Sequence, residues 1–277
     1  MSARGLLRMA WREVWQRPGL LLLAFWNVII TSLVELFFMS RLGPQVLPIV
    51  SQANSAGFGI GQLGSISPQL GTKLALVYLT MLFIVIPFTL GGLYGGVSAA
   101  LARGDRLVGF FRFFRFAIDN FWRSLAMMVG LLAMAVAVGI FLGAINLGLS
   151  TFAGNSPVGV AAGVVALALT LLTVVLTMAT LLYWLGAVYY GHSGVREGLG
   201  EAIRWIRRDW WLGIRLVFTV LGLLIIPGIL VNLLGTFIPV LGGLFSLVAG
   251  GLVMATLATL AAVLNRESNR HQILPPV

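Results

Sequence analysis

Six long apolar runs dominate the chain, separated by short segments that carry nearly all of its charge. The runs cover residues 19–38, 74–102, 124–149, 158–190, 212–234 and 240–264. About 20 apolar residues suffice for a helix to cross a bilayer. Each run is continuously apolar and lacks the alternation of a barrel strand, so each predicts a membrane-spanning helix. The runs at 74–102 and 158–190 are too long for a straight crossing and predict tilt, a kink or an extension past the interface. Pro87 and Pro227 each remove a backbone donor inside a run, which predicts kinks there.

Composition agrees with the pattern. Of 277 residues, 59% are hydrophobic and 9% charged, against about 25% charged in a soluble domain. So few charges cannot cover a globular surface, and so hydrophobic a chain is not disordered. The segments between runs reach about thirty residues, too short to fold alone. Residues 1–277 therefore read as one transmembrane domain: an all-α polytopic protein whose six transmembrane helices form three helical hairpins. The first run is longer than a signal-peptide core, and Phe38-Met39-Ser40-Arg41 offers no small-residue cleavage site, so it is expected to remain as the first span.

Orientation follows from the 17 arginines and the one lysine among 18 basic residues, which stand against 8 acidic ones. Arg4, Arg8, Arg12 and Arg17 precede span one. Arg103, Arg106, Arg112, Arg115 and Arg123 lie between spans two and three, and Arg196, Arg204, Arg207 and Arg208 between spans four and five. Arg266 and Arg270 follow span six. The opposite side holds only Arg41 and Lys73, and Arg215 lies just inside span five. The positive-inside rule predicts a plasma-membrane protein with both termini cytoplasmic, an outer loop at 41–73 and a cytoplasmic tail at 265–277. In this setting a net charge of +10 points to anionic headgroups and away from nucleic acid.

The basic segments repeat. Residues 3–18, 106–123 and 195–211 each combine arginines with aromatic rings, and each precedes a hairpin of two spans. The second and third align at an offset of 89 residues, which matches Gly109 with Gly198, Arg115 with Arg204, Trp122 with Trp211 and Gly139 with Gly228. The first matches more loosely. Such parallel repeats imply a quasi-symmetric bundle. In the first segment Leu7, Trp11, Val14 and Trp15 share one face, while Arg4, Arg8 and Arg12 recur every four residues on another. These segments predict amphipathic interfacial helices, apolar face down. Arg112, Arg115, Arg204, Arg207 and Arg208 are the expected contacts, either to lipid as anchors or to a cytoplasmic partner such as a motor ATPase.

The stretches GFFRFFRFAIDNFWRSL (109–125) and EAIRWIRRDWWLGIRL (201–216) resemble six-span bacterial membrane proteins of uncharacterised role. In particular they are similar to the membrane domain that accompanies some glycerophosphoryl diester phosphodiesterases. The resemblance covers nearly the whole chain and implies hairpins each preceded by a basic aromatic helix. The catalytic domain of those enzymes has no counterpart in these residues, so no phosphodiesterase activity carries over. The chain also resembles ABC-2 type transporter permeases, which have an elbow helix, six spans and cytoplasmic termini. Two features depart from that pattern: the connection between spans five and six is very short, and the long outer loop follows span one.

The inventory of reactive groups is thin. There is no cysteine, which excludes disulfides and thiolate chemistry. His192 and His271 are the only histidines, and neither has neighbours at metal-ligand spacing. No HExxH, P-loop or GxSxG is present. The expectation is no enzyme, no metal and no cofactor. Polar groups within the spans are the remaining candidates, since burying them in lipid is costly. Glu35 lies in the outer third of span one, either as a proton or cation site or paired with Lys73 or Arg41. Asn27, Asn146 and Asn232 can hydrogen-bond across helices.

In span four, Gly159, Gly163, Ala166, Thr170, Thr173, Thr177 and Thr180 follow a 4,3 spacing and form one seam of small residues. The seam reads either as close helix packing or as a polar stripe along a substrate path. Gly91-Gly92 with Gly95-Gly96 in span two, and Gly251, Ala255, Ala258 and Ala262 in span six, are further close-packing signals. The functional expectation is a non-enzymatic scaffold or assembly subunit, bound to another membrane subunit or a cytoplasmic ATPase. The second expectation is the permease subunit of an ABC-2-like transporter.

Overall fold

Each apolar run folds as a helix. The computed structural model describes residues 2–56, 68–103, 109–150, 157–191, 193–237 and 239–273. The elements in order are α1 (Ala3–Gln16), α2 (Pro18–Ala56), α3 (Pro68–Thr80), a single π turn (Met81–Val85), α4 (Ile86–Arg103), α5 (Phe110–Asp119), α6 (Phe121–Ser150), α7 (Pro157–Tyr190), α8 (Val195–Arg208), α9 (Trp210–Phe237) and α10 (Pro239–Ile273). Among the described residues, six stretches are long and apolar enough to span a membrane: Pro18–Pro44, Pro68–Ala102, Phe121–Ile145, Gly159–Tyr190, Trp210–Leu233 and Phe245–Glu267. The protein is an all-α, multi-pass membrane protein.

Four of the helices open on proline (Pro18, Pro68, Pro157 and Pro239), where the missing N–H belongs to the unpaired first turn and φ is already set. Pro87 sits just beyond the π turn. There the Ile86 N–H reaches back to the Met81 carbonyl, so one wide turn accommodates the lost donor. Pro227, by contrast, lies within an uninterrupted α9. Several expected boundaries move. The spans α6 and α9 begin at Phe121 and Trp210, inside the stretches 106–123 and 195–211 anticipated as arms. Within the anticipated outer loop, 41–56 continues α2, and α3 begins at Pro68 rather than at residue 74; residues 57–67 lie outside the described residues. The anticipated tail from 265 continues α10 to Ile273. Hydropathy marks where lipid ends, whereas a nucleated helix gains one hydrogen bond for each residue it adds and runs on past that point.

The three hairpins close into a ring. Going round it, α2 packs on α4, α4 on α6, α6 on α7, α7 on α9, α9 on α10, and α10 on α2. The returning spans α4, α7 and α10 also touch one another at the centre. Each amphipathic arm docks on the returning span of the preceding hairpin: α5 on α4, α8 on α7, and α1 on α10, the last hairpin in the chain. The first arm thus completes the cycle that the 89-residue offset begins.

One residue separates each arm from its span: Arg17, Asn120 and Asp209. The last two stand at the offset of 89. All three accept the first hydrogen bond of the following span, from Leu20, Ser124 and Gly213 respectively. Counting seven residues back from each break gives Ala10, Phe113 and Ala202, all fully buried. Five residues back stand Arg12, Arg115 and Arg204, all exposed. A common register from break to buried face to basic face therefore relates the arms.

Buried side chains concentrate at the arm end of the bundle. They include Leu20, Leu23 and Ala24 on α2, Leu93 and Val97 on α4, Trp184 and Tyr189 on α7, and Ala255, Ala258 and Leu260 through Leu264 on α10. Toward the far end the apolar faces open, with Leu36, Ile140, Leu167 and Ile226 each more than half exposed. The central span α10 has 67% of its apolar window buried, against none for α7.

Candidate functional site

The arms and the returning spans beneath them form a collar, and glycine determines how closely they approach. On α4, a Cβ at Gly92 would lie 2.5 Å from the Phe113 ring, and one at Gly96 would lie 2.7 Å from Leu23 and 3.2 Å from Phe116. A Cβ at Gly91 would meet Ser124 Oγ at 3.0 Å, and one at Gly95 would run into the Asn120 amide. The paired GxxxG glycines thus seat arm α5 and the start of α6, besides receiving α2. On α8, Gly198 lies against Val188, Ala187 and Trp184 of α7. The Trp184 indole N–H donates to the Val195 carbonyl at 2.7 Å, which fixes the first turn of that arm. On α10, Ala255, Ala258 and Ala262 are buried as expected, and Gly251 receives the Phe25 ring.

Polar groups close the arm end. Asn27 donates to the Thr89 carbonyl across α2 and α4 at 2.9 Å. The Ser124 and Tyr189 hydroxyls share a 2.6 Å hydrogen bond, and the Tyr190 hydroxyl donates to the Ala258 carbonyl at 2.9 Å. Tyr94 stacks on Tyr189 with ring centroids 5.2 Å apart. The Arg17 guanidinium pairs with Glu13 at 3.3 Å and donates to the carbonyls of Ala100 and Leu101 in the last turn of α4. A cation there satisfies orphan carbonyls and complements the helix dipole. Sequence reasoning missed the tyrosines, Ser124, and the capping by Arg17. The available signal was tyrosine inside an apolar run, since a buried phenol needs a partner.

The outward faces of the collar are basic and aromatic. Arg4, Arg8, Arg12, Arg112, Arg115, Arg204, Arg207 and Arg208 are all exposed. Arg115 lies 3.8 Å from Asp119 with both side chains largely in solvent, a pair of little energetic weight. Phe111, Trp122 and Trp15 are 86%, 76% and 59% exposed, and Trp210 stacks on Trp211. The anticipated apolar faces divide, however. Phe110, still partly exposed, and Phe114 join a ring cluster with Trp26 and Phe88, and Trp205 stacks on Tyr183. On α1, Val14 turns inward with Ala3, Leu6 and Ala10, leaving Leu7, Trp11 and Trp15 as a second apolar flank. Each arm has two apolar sides because it docks on protein as well as facing outward.

The expected intramembrane sites separate. Asn27 bridges helices, whereas Asn232 is exposed and bonds within its own helix to Gly228 at 3.0 Å. The Asn146 side chain lies outside the described residues. Glu35 is exposed and forms no ion pair with either anticipated partner; Arg41 instead lies over the Phe37 ring at 5.9 Å. Helix geometry explains this, because residues 35 and 41 are six apart and project from different faces.

The seam of α7 is half-buried at Gly159, Ala166, Thr170, Thr173, Thr177 and Thr180 while most neighbours are exposed, so it faces the bundle. It is not closely packed along its length. Gly163 is exposed, with no atom within 4 Å of a built Cβ. The hydroxyls of Thr173, Thr177 and Thr180 bond back to Leu169, Thr173 and Leu176 within the helix rather than across it, because the helices diverge there. Among the described residues no cluster of His, Cys, Asp and Glu has metal-binding geometry.

Comparison with known proteins gives no relative: no family model matches the chain, and neither curated proteins nor solved structures yield a significant match.

Proposed function

We propose that the protein is a non-enzymatic scaffold or assembly subunit of a plasma-membrane complex, with both termini and the three arms on the cytoplasmic side. The observation that carries this reading is the collar. Side chains from all three returning spans fill the arm end of the bundle, so that end acts as a rigid platform. Its exposed rim offers arginines to anionic headgroups or to a partner, either a second membrane subunit or a cytoplasmic ATPase. The far end of the bundle, with apolar faces and open glycines, is suited to lipid or to another spanning subunit.

An ABC-2-like permease is the second reading, favoured by one feature: the threonine stripe of α7 faces the open half of the bundle. The two readings are separated by purifying the protein in mild detergent with its partners and then changing Arg204, Arg207 and Arg208 together to Gln. A scaffold that docks a partner through α8 releases it while membrane insertion survives. If the arms only anchor, the partner stays and affinity for anionic vesicles falls about fivefold per charge. A stoichiometric nucleotide-hydrolysing subunit whose turnover depends on this chain would replace the scaffold by the permease. Labelling a cysteine introduced at residue 200 from outside the cell would overturn the orientation.

A further inference from the structure

We infer that the first arm carries a binding site for the phosphate of an anionic phospholipid, formed by Arg4, Arg8, Leu7 and Trp11. The inference rests on the reading of the collar as a headgroup-level structure and adds to it a defined site with a defined ligand. Leu7, Trp11 and the aliphatic stems of Arg4 and Arg8 line an apolar groove of about 190 Å³ on α1. Arg4 and Arg8 are one turn apart, as are Leu7 and Trp11, so two guanidiniums stand beside an apolar ledge. Docking on α10 by Ala3, Leu6, Ala10 and Val14 fixes the rotation of the helix. The ledge and the arginines therefore cannot trade places.

Charge identifies the ligand. Arg4 and Arg8 are exposed and have no acidic partner among the described residues; the one acidic residue of α1, Glu13, is already engaged with Arg17. Two free guanidiniums at one-turn spacing match the oxygens of a phosphodiester. The ledge specifies lipid rather than a soluble phosphate. It is continuous with Trp15, 59% exposed and 5.9 Å from Trp11 in an edge-on pair, and such a tryptophan flank sits where acyl chains meet headgroups. The corresponding groove on α8 has a different character. It is lined by Arg196, Arg204, Glu197 and Glu201 around Gly200, so its cations stand among carboxylates that repel a phosphate. Of these two arms, α1 is therefore the one suited to an anion.

The test is lipid titration of the purified full chain by native mass spectrometry, with phosphatidylglycerol and phosphatidylcholine of equal acyl length. The wild type should bind phosphatidylglycerol more tightly. Arg4→Gln with Arg8→Gln should weaken that binding roughly 30-fold and weaken phosphatidylcholine binding less, because choline already neutralises the phosphodiester that both lipids carry. Trp11→Ala should weaken both lipids. Equal affinity of the wild type for the two lipids, or no effect of the double arginine change, would overturn the site. Competition by glycerol phosphate as effective as by the intact lipid would overturn the assignment to lipid. Both arginines are exposed, so the fold should survive, and an unchanged melting temperature in detergent verifies it. In parallel, quenching of Trp15 by brominated lipid, read against Trp15→Phe, checks the collar. Quenching with no arginine effect removes only the site, whereas no quenching removes the collar as well.

Discussion

A glycine on a membrane helix has meaning only through the atom that faces it. Gly92 and Gly163 both belong to small-residue patterns, yet a Cβ at Gly92 would strike the Phe113 ring whereas one at Gly163 meets nothing. Gly92→Leu should therefore destabilise the bundle by about 1–3 kcal/mol through overpacking, and Gly163→Leu should be nearly neutral. Thermal unfolding of both variants in the same detergent decides it; equal losses would remove the distinction. From the sequence the two positions look alike, because spacing reports which residues share a face and not how far away the next helix stands. The same limit applies to Asn27 and Asn232. Both are amides in apolar runs, but Asn27 reaches the Thr89 carbonyl across a close contact while Asn232 falls back on its own helix. Glu35 could be picked out as unusual, and its six-residue spacing from Arg41 already argued against that pair, since the two project from different faces of one helix.

Among the elements, the arms were the most legible feature. Arginine spacing and ring content located all three, but the breaks at Asn120 and Asp209 fall inside stretches read as continuous arms; the 89-residue offset relates the two breaks without revealing either. The register of the first arm was hidden for a physical reason. Asp209 caps the next helix with its own carboxylate, accepting from the Leu212 N–H at 3.1 Å, as residues of its type commonly do. Arg17 occupies the same place because its guanidinium serves the end of α4, a tertiary contact with no local signature. The shared position seven residues before each break gives a test. Phe113 fits there because Gly92 lies opposite, whereas Ala10 and Ala202 fill the equivalent sites with a methyl group. Ala10→Phe and Ala202→Phe should each undock their arm, at a cost of about 1–3 kcal/mol. The expected readout is new protease cleavage within α1 or α8 with the spans intact; wild-type resistance in both would show that the arms do not share a register.

In the molecule as a whole, ring closure and the opening of the far end make separate claims. Closure requires that the first and last hairpins meet, and the Phe25 ring lies 2.9 Å from a Cβ built on Gly251. Because the chain has no cysteine, Phe25→Cys with Gly251→Cys leaves a single pair. A short thiol cross-linker should join it, so that cleavage at an engineered site between residues 104 and 108 no longer separates the halves of the chain. An open row of hairpins would let them part. The far end decides between scaffold and permease. Thr170 lies on the stripe that faces the divergence of the helices and is only half-buried. If acyl chains or another spanning subunit fill that space, Thr170→Cys should react with a lipid-soluble maleimide and resist a membrane-impermeant charged one, since ionised reagents are excluded from hydrocarbon. If the space is a water-filled substrate path, the charged reagent should label it from the outside. The scaffold reading predicts protection from the charged reagent in intact cells, with Lys73→Cys on α3, expected on the outer side, labelled as the positive control. Rapid labelling of residue 170 by that reagent would transfer the assignment to the permease.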